Sequence, residues 1–117
     1  MRNDKLSVQS MDFSVSIINL VKDLKSRKES IISNQIGRSG TSIGANIREA
    51  QYAHGKADFI AKLQIALKEC YETEYWLELF VKSDILNREM AVDLYNQCGT
   101  IRRILIASIN TAKENAK

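Results

Sequence analysis

The sequence predicts an all-α protein, an antiparallel up-down-up-down four-helix bundle, and three observations carry that expectation. There is no proline in 117 residues and there are only five glycines. Long helices can therefore run without a breaker, whereas a sandwich or barrel, which needs many tight turns, is disfavoured. Apolar residues recur at helical spacing in four separate stretches. The breaks between the stretches are short and polar, and short links make successive helices antiparallel neighbours. An apolar fraction of 44% and a charged fraction of 26% fit a globular domain. The length fits one domain over residues 1–117, with a core that needs neither disulfide nor metal. Residues 1–9 and 115–117 are expected to fray.

A first helix is expected from a cap at Ser10 or Asp12 to about Lys25, with Phe13, Ile17, Leu20 and Leu24 on its inner face. Lys22, Lys25, Arg27 and Lys28 crowd its end, where positive charge complements the helix dipole. The same four are candidates for contacting phosphate.

The second helix spans Ser30 to Tyr52 and organises the rest. Ile32, Ile36, Ser39, Ile43, Ile47 and Ala50 recur at steps of four, three, four, four and three, the spacing of one helix face. Gly37, Gly40 and Gly44 lie in the same stretch, each costing about 1 kcal/mol of helix stability relative to alanine. Close approach of a neighbouring helix is the compensation that this pattern predicts. GRSGTS, residues 37–42, lacks the spacing and the lysine of a phosphate-cradling loop, and Arg38, Arg48 and Glu49 exclude a membrane helix pair. The helix is expected to close near His54-Gly55, with the glycine in the left-handed conformation. His54 is the only histidine, and it is assigned no chemistry.

The third helix should start at Ala57 or Asp58 and reach Lys82, with Phe59, Leu63, Ala66, Cys70, Thr73, Leu77 and Phe80 or Val81 forming a bundle seam. Glu69, Glu72, Glu74 and Glu78 line its second half. Di-iron bundles use Glu-x-x-His pairs, which this chain lacks. Glu74 falls beside the core stripe and is expected to meet an arginine or helix-end amides, while Glu72 and Glu78 point outward. Asn87 should cap the fourth helix, whose inner face is Met90, Leu94, Ile101, Leu105, Ser108 and Ala112.

Further apolar residues lie off these inner faces: Met11, Val15 and Ile18 on the first helix, Ile65, Trp76 and Leu79 on the third, Val92, Tyr95 and Ile106 on the fourth. Three such stripes predict subunit interfaces, hence a homo-oligomer. Cys70 and Cys98 are expected as reduced, buried thiols. No run is long and apolar enough for a membrane span, and MRNDKLSVQS lacks a secretory core, so a cytoplasmic location is expected. With no histidine placed to activate a serine, and no metal or cofactor motif, an enzyme is not expected.

The run RSGTSIGANIREAQYAHGKADFIAKLQIALKECYETEYWLELF, residues 38–80, resembles the four-helix-bundle family of open reading frames within ribosomal-RNA intervening sequences. That family also takes in the accessory variability determinant proteins of diversity-generating retroelements. The likeness rests on Thr41-Ser42-Ile43, Asn46-Ile47 and Glu49 on the second helix, then Phe59, Ile65-Ala66-Leu67 and the Glu72 and Glu74 pair on the third. It implies a ring-shaped homopentamer and, in the retroelement branch, an accessory subunit that binds a reverse transcriptase and nucleic acid. Asn46, Glu49 and Glu74 then make sense as polar groups that fix helix pairing. Two functions stay open from the residues. One is a non-enzymatic scaffold contacting RNA or DNA through Lys22, Lys25, Arg27, Lys28, Arg102 and Arg103. The other is a protein-protein interaction module with no nucleic-acid role.

Overall fold

In the computed structural model, which describes residues 4–115, four helices follow one another: α1 (Lys5–Ser26), α2 (Ser30–Gln51), α3 (Lys56–Lys82) and α4 (Arg88–Asn115). Links of three, four and five residues leave each helix no option but to turn back along the last, giving an up-down-up-down bundle 48 Å long and 24 × 23 Å across. Around the square α1 packs on α2, α2 on α3, α3 on α4 and α4 on α1, while the backbones of diagonal helices stand further apart. The fold is the all-α bundle expected from the periodicity. The core is one continuous cluster fed by all four helices, with Ile17, Leu24, Ile36, Ile43, Leu77, Phe80 and Leu105 fully enclosed.

The glycine stripe of α2 faces α1. A Cβ built on Gly40 would lie 2.8 Å from Ile17 side-chain carbons, one on Gly44 would lie 3.1 Å from Ser14 Oγ, and one on Gly37 3.1 Å from Val21. These glycines let the α1 side chains sit almost on the α2 backbone, and the dispersion gained there offsets their poor helix propensity.

The helix ends differ from the sequence reading in instructive ways. α1 begins at Lys5, so residues 5–9 are helical, not frayed, and the cap is Asp4 instead of Ser10 or Asp12: its carboxylate accepts from Ser7 N and Ser7 Oγ, both at 3.0 Å. Ser10 is buried inside the helix. Asn115 is still helical; the fraying expected for residues 1–3 and 116–117 lies outside the described residues. Gly55 is extended, with φ 177°, and stands before α3, where its carbonyl accepts from Phe59 N; α2 has already ended at Gln51.

The left-handed closures occur instead at non-glycine residues, Lys28 (φ 62°) and Asp84 (φ 60°). Each completes a paired motif. Glu29 N bonds Leu24 O and Lys28 N bonds Lys25 O after α1; Ile85 N bonds Phe80 O and Asp84 N bonds Val81 O after α3. The hydrogen-bond pattern demands a left-handed residue at that position whatever its side chain. Asn87 caps α4 as expected, its Oδ1 accepting from Met90 N at 2.8 Å. Met90 is exposed, and Ala91 takes the inner position.

Two stability predictions follow. Gly40→Ala gains helix propensity yet overpacks Ile17, and should lower unfolding free energy by about 1–3 kcal/mol in a urea titration; combined with Ile17→Ala, which alone costs about 2–5 kcal/mol, the loss should be smaller than the sum of the two single losses. Asp84→Gly relieves a left-handed strain of about 1–2 kcal/mol and should raise the urea midpoint, with the slope unchanged.

Candidate functional site

Polar side chains tie the helices together at three levels. In the core, Thr73 Oγ1 donates to Ser39 Oγ at 2.9 Å, linking α3 to α2, with both residues fully buried. At the α3–α4 seam, Arg102 Nε donates to Glu74 Oε2 at 2.9 Å, and the Glu74 side chain is only 9% exposed. The guanidinium lies 5.8 Å from the centre of the Tyr71 ring. The hydrogen bond to Glu74, more than any other cause, pushes the Arg102 guanidinium above its ordinary value. On the α2–α3 face Arg38 bonds Glu69 (3.2 Å) and Glu72, and Glu72 also accepts from Trp76 Nε1 at 3.1 Å.

Glu74 therefore meets an arginine, as the wheel position implied. Glu72 is half-buried and shared between Arg38 and Trp76, not simply outward and solvated; Glu78 is exposed. Of the other groups expected to fix helix pairing, Glu49 reaches across to Lys62 at 3.5 Å. Asn46 does not pair helices: its Nδ2 donates to Ser42 O within α2. The Ser39–Thr73 bond does what Asn46 was expected to do. Its signal was present in the sequence, since each hydroxyl stands at a core position of adjoining helices.

The six basic candidates divide. Lys22, Lys25, Arg27 and Lys28 are exposed at the end of α1. Arg27 bonds Ile85 O at 2.7 Å, which binds this end to the α3–α4 link, and it pairs with Asp23 at 2.9 Å. The antiparallel topology brings the end of α3, with Lys82, and the start of α4, with Arg88, to the same end of the bundle. Neither was singled out in the sequence, because their proximity depends on topology. Arg102 and Arg103 do not join this cluster. They lie about 20 Å further along α4 by helical rise; Arg102 is committed to Glu74 and Arg103 bonds Thr100 Oγ1 at 3.2 Å.

Of the interface candidates, Ile65, Leu79, Val92 and Tyr95 are exposed. Trp76 and Ile106 are half-buried, and the Trp76 ring packs against the core and tilts over Phe80 at 6.4 Å, so Trp76 is mainly a structural residue. Tyr71 and Tyr75, which the sequence reading left out, are more exposed than any of them. Between α3 and α4 runs an open groove of about 430 Å³ lined by Leu77, Glu78, Val81, Ala91, Val92 and Tyr95, among others.

Cys70 and Cys98 are both buried and reduced; Cys98 Sγ donates to Cys70 O at 3.5 Å, and the contact with Cys70 and burial together push the Cys98 thiol far up. Among the described residues no three metal-binding side chains gather, and no helix is long and apolar enough to cross a membrane. His54 is exposed, its backbone N–H directed to Asp58 at 3.4 Å.

The seam pair should behave as a unit. Glu74→Leu and Arg102→Leu should each cost about 1–3 kcal/mol by leaving a charged partner desolvated. The double variant should cost less than the sum, with a coupling of about 0.5–3 kcal/mol in a denaturation cycle.

Comparison with known proteins places this architecture. No curated protein matches the chain. A crystal structure of a protein of unknown function from the S23 ribosomal protein family of Bacteroides thetaiotaomicron is 50% identical, with a TM-score of 0.87, over 89% of this chain and 97% of that one. The model of the 23S rRNA-intervening sequence proteins matches residues 2–107, nearly the full length of the bundle, and the chain belongs to that family.

Proposed function

We propose that the chain is a non-enzymatic, homo-oligomeric scaffold of the cytoplasm, a homopentamer as the family resemblance implies, that contacts RNA or DNA at the basic end of its bundle. A nucleic-acid-processing protein such as a reverse transcriptase is the kind of partner it would hold there. One observation carries the nucleic-acid part: Lys22 and Lys25 in the last turns of α1, Lys28 just after it, Lys82 at the end of α3 and Arg88 at the start of α4 stand at one end of the bundle. Lysine ammonium groups in water neutralise phosphates as point charges and release counterions in doing so. Glu29, Asp84 and Glu89 stand at the same end, so the contact is modest in strength and strongly dependent on salt.

A second reading, a protein-interaction module, is favoured by the α3 face. There Tyr71, Tyr75 and Leu79 are exposed while the neighbouring arginines are already paired with carboxylates. Tyrosine and arginine are enriched where protein partners bind most tightly.

A labelled single-stranded or duplex RNA titrated at increasing salt tests the first reading. The slope of log K against log salt should become shallower by about 0.7 on a single strand, or about 0.9 on a duplex, for each of Lys22 and Lys25 changed to alanine, and Arg103→Ala should leave it unchanged. Absence of binding at low ionic strength removes the nucleic-acid part and leaves the interaction module.

A further inference from the structure

The groove between α3 and α4 opens toward the basic end of the bundle. Lys82, at the end of α3, and Arg88, at the start of α4, stand at its mouth, over a floor of Leu77, Val81 and Ala91. Val92 and Tyr95 line the α4 side further in, and Glu78 lines the α3 side. Arg88 and Tyr95 are two turns apart on one face of α4, so about 10 Å separates the mouth from the tyrosine. The volume of about 430 Å³ is that of a site for a small organic group.

The lining carries unmatched charge. Among the described residues neither Lys82, Arg88 nor Glu78 has an ion-pair partner. Asp84 and Glu89 stand at the same end but do not line the groove, so its charged lining is two cations at the mouth and one carboxylate on the wall. Val92 is 45% and Tyr95 39% exposed, which leaves an aliphatic surface and an aromatic ring open to a ligand. From the mouth inward the lining runs cationic, aliphatic and aromatic. A nucleotide runs in the same order, from phosphate through sugar to base.

We propose that this groove takes one unstacked nucleotide of a single-stranded nucleic acid, with its phosphate at Lys82 and Arg88 and its base on the Tyr95 ring. The proposal rests on the nucleic-acid reading above and adds the form of nucleic acid that the site selects. Lys22, Lys25 and Lys28 draw any polyanion to this end, whatever its sequence. Stacking on an aromatic side chain is open only to a base that has left its own stack. A duplex, with its bases stacked and paired, therefore meets the lysines but does not enter the channel. Glu78 fits the same occupant, since a carboxylate accepts from the exocyclic amino group of cytosine. An acidic peptide would answer the cations at the mouth and then bring its own carboxylates past Glu78.

Fluorescence anisotropy with a labelled oligocytidylate and a labelled blunt RNA duplex tests it. Tyr95→Ala should weaken the oligocytidylate complex roughly 5- to 150-fold and leave the duplex complex unchanged. Tyr95→Phe, which keeps the ring face, should bind both RNAs as the native chain does. The position is exposed, and far-UV circular dichroism checks that each variant stays helical. An abasic ribose-phosphate oligomer should bind the native chain and Tyr95→Ala alike, because it has no base to stack. Equal losses on both RNAs, no loss on either, or a native chain that binds only the duplex overturns the groove as a base site and leaves it to a protein side chain, while the nucleic-acid reading stands. Absence of binding to either RNA at low ionic strength overturns both.

Discussion

The seat of Ile17 on the α2 backbone at Gly40 sets the rest of the bundle. With alanine at position 40, α1 and α2 would have to separate or Ile17 would have to leave its rotamer, and a core at crystal-like density absorbs neither change easily. The position then propagates by adjacency along the chain. Ser39, next to Gly40, lies fully buried where Thr73 of α3 donates to it. Glu74, next to Thr73, turns to the α4 side and takes Arg102. One apolar contact and two polar ones, at neighbouring residues, thus connect all four helices at one level. A slip of α2 by a single residue would break the first two of them, at Gly40 and Ser39.

The ends are held by backbone geometry. The left-handed residues at Lys28 and Asp84 satisfy the last carbonyls of α1 and α3, which would otherwise be orphaned. Arg27 then reaches the Ile85 carbonyl from the neighbouring turn. That contact gathers Lys22, Lys25, Lys28, Lys82 and Arg88 into one region, although the two groups are more than fifty positions apart in sequence.

Most of the fold was legible because a core stripe is a property of one helix at a time. Ile36, Ser39, Ile43, Ile47 and Ala50 repeat with helical period and are all buried; the glycines announced close packing; Asn87 announced a cap. What escaped depended on something other than local pattern. Residues 5–9 offer only Leu6 and Val8 as apolar positions, so a start at Asp4 had to compete with better-patterned residues downstream. Gly55 looked like a helix terminator because glycine tolerates left-handed backbone, but that tolerance does not oblige it to adopt one, and Lys28 and Asp84 do so under hydrogen-bond demand. Arg102 read as a free cation because its partner lies 28 residues away on another helix. Lys82 and Arg88 became candidates only once topology brought the ends of three helices together. The wheel did place Glu74 against an arginine, since a carboxylate at the edge of a core stripe requires a countercharge.

The division of cations between inside and outside bears on function. Arg38 and Arg102 hold carboxylates on the bundle's flanks, where a planar guanidinium with several fixed donors is the better partner. The end of α1 carries mostly lysine, a strongly hydrated charge that gives up little by remaining in water. Covering the flanks with another protein would desolvate charges that are already matched, whereas covering the lysine end with apolar surface would strand charges that are not. On the function proposed above, protein contact belongs along the sides and polyanion contact at the end. In a ring built side to side from such bundles, the lysine ends would lie together on one rim. The scaffold proposed above would act through the number of weak charges presented at once, since each added copy raises the effective concentration of the next contact without strengthening any single one.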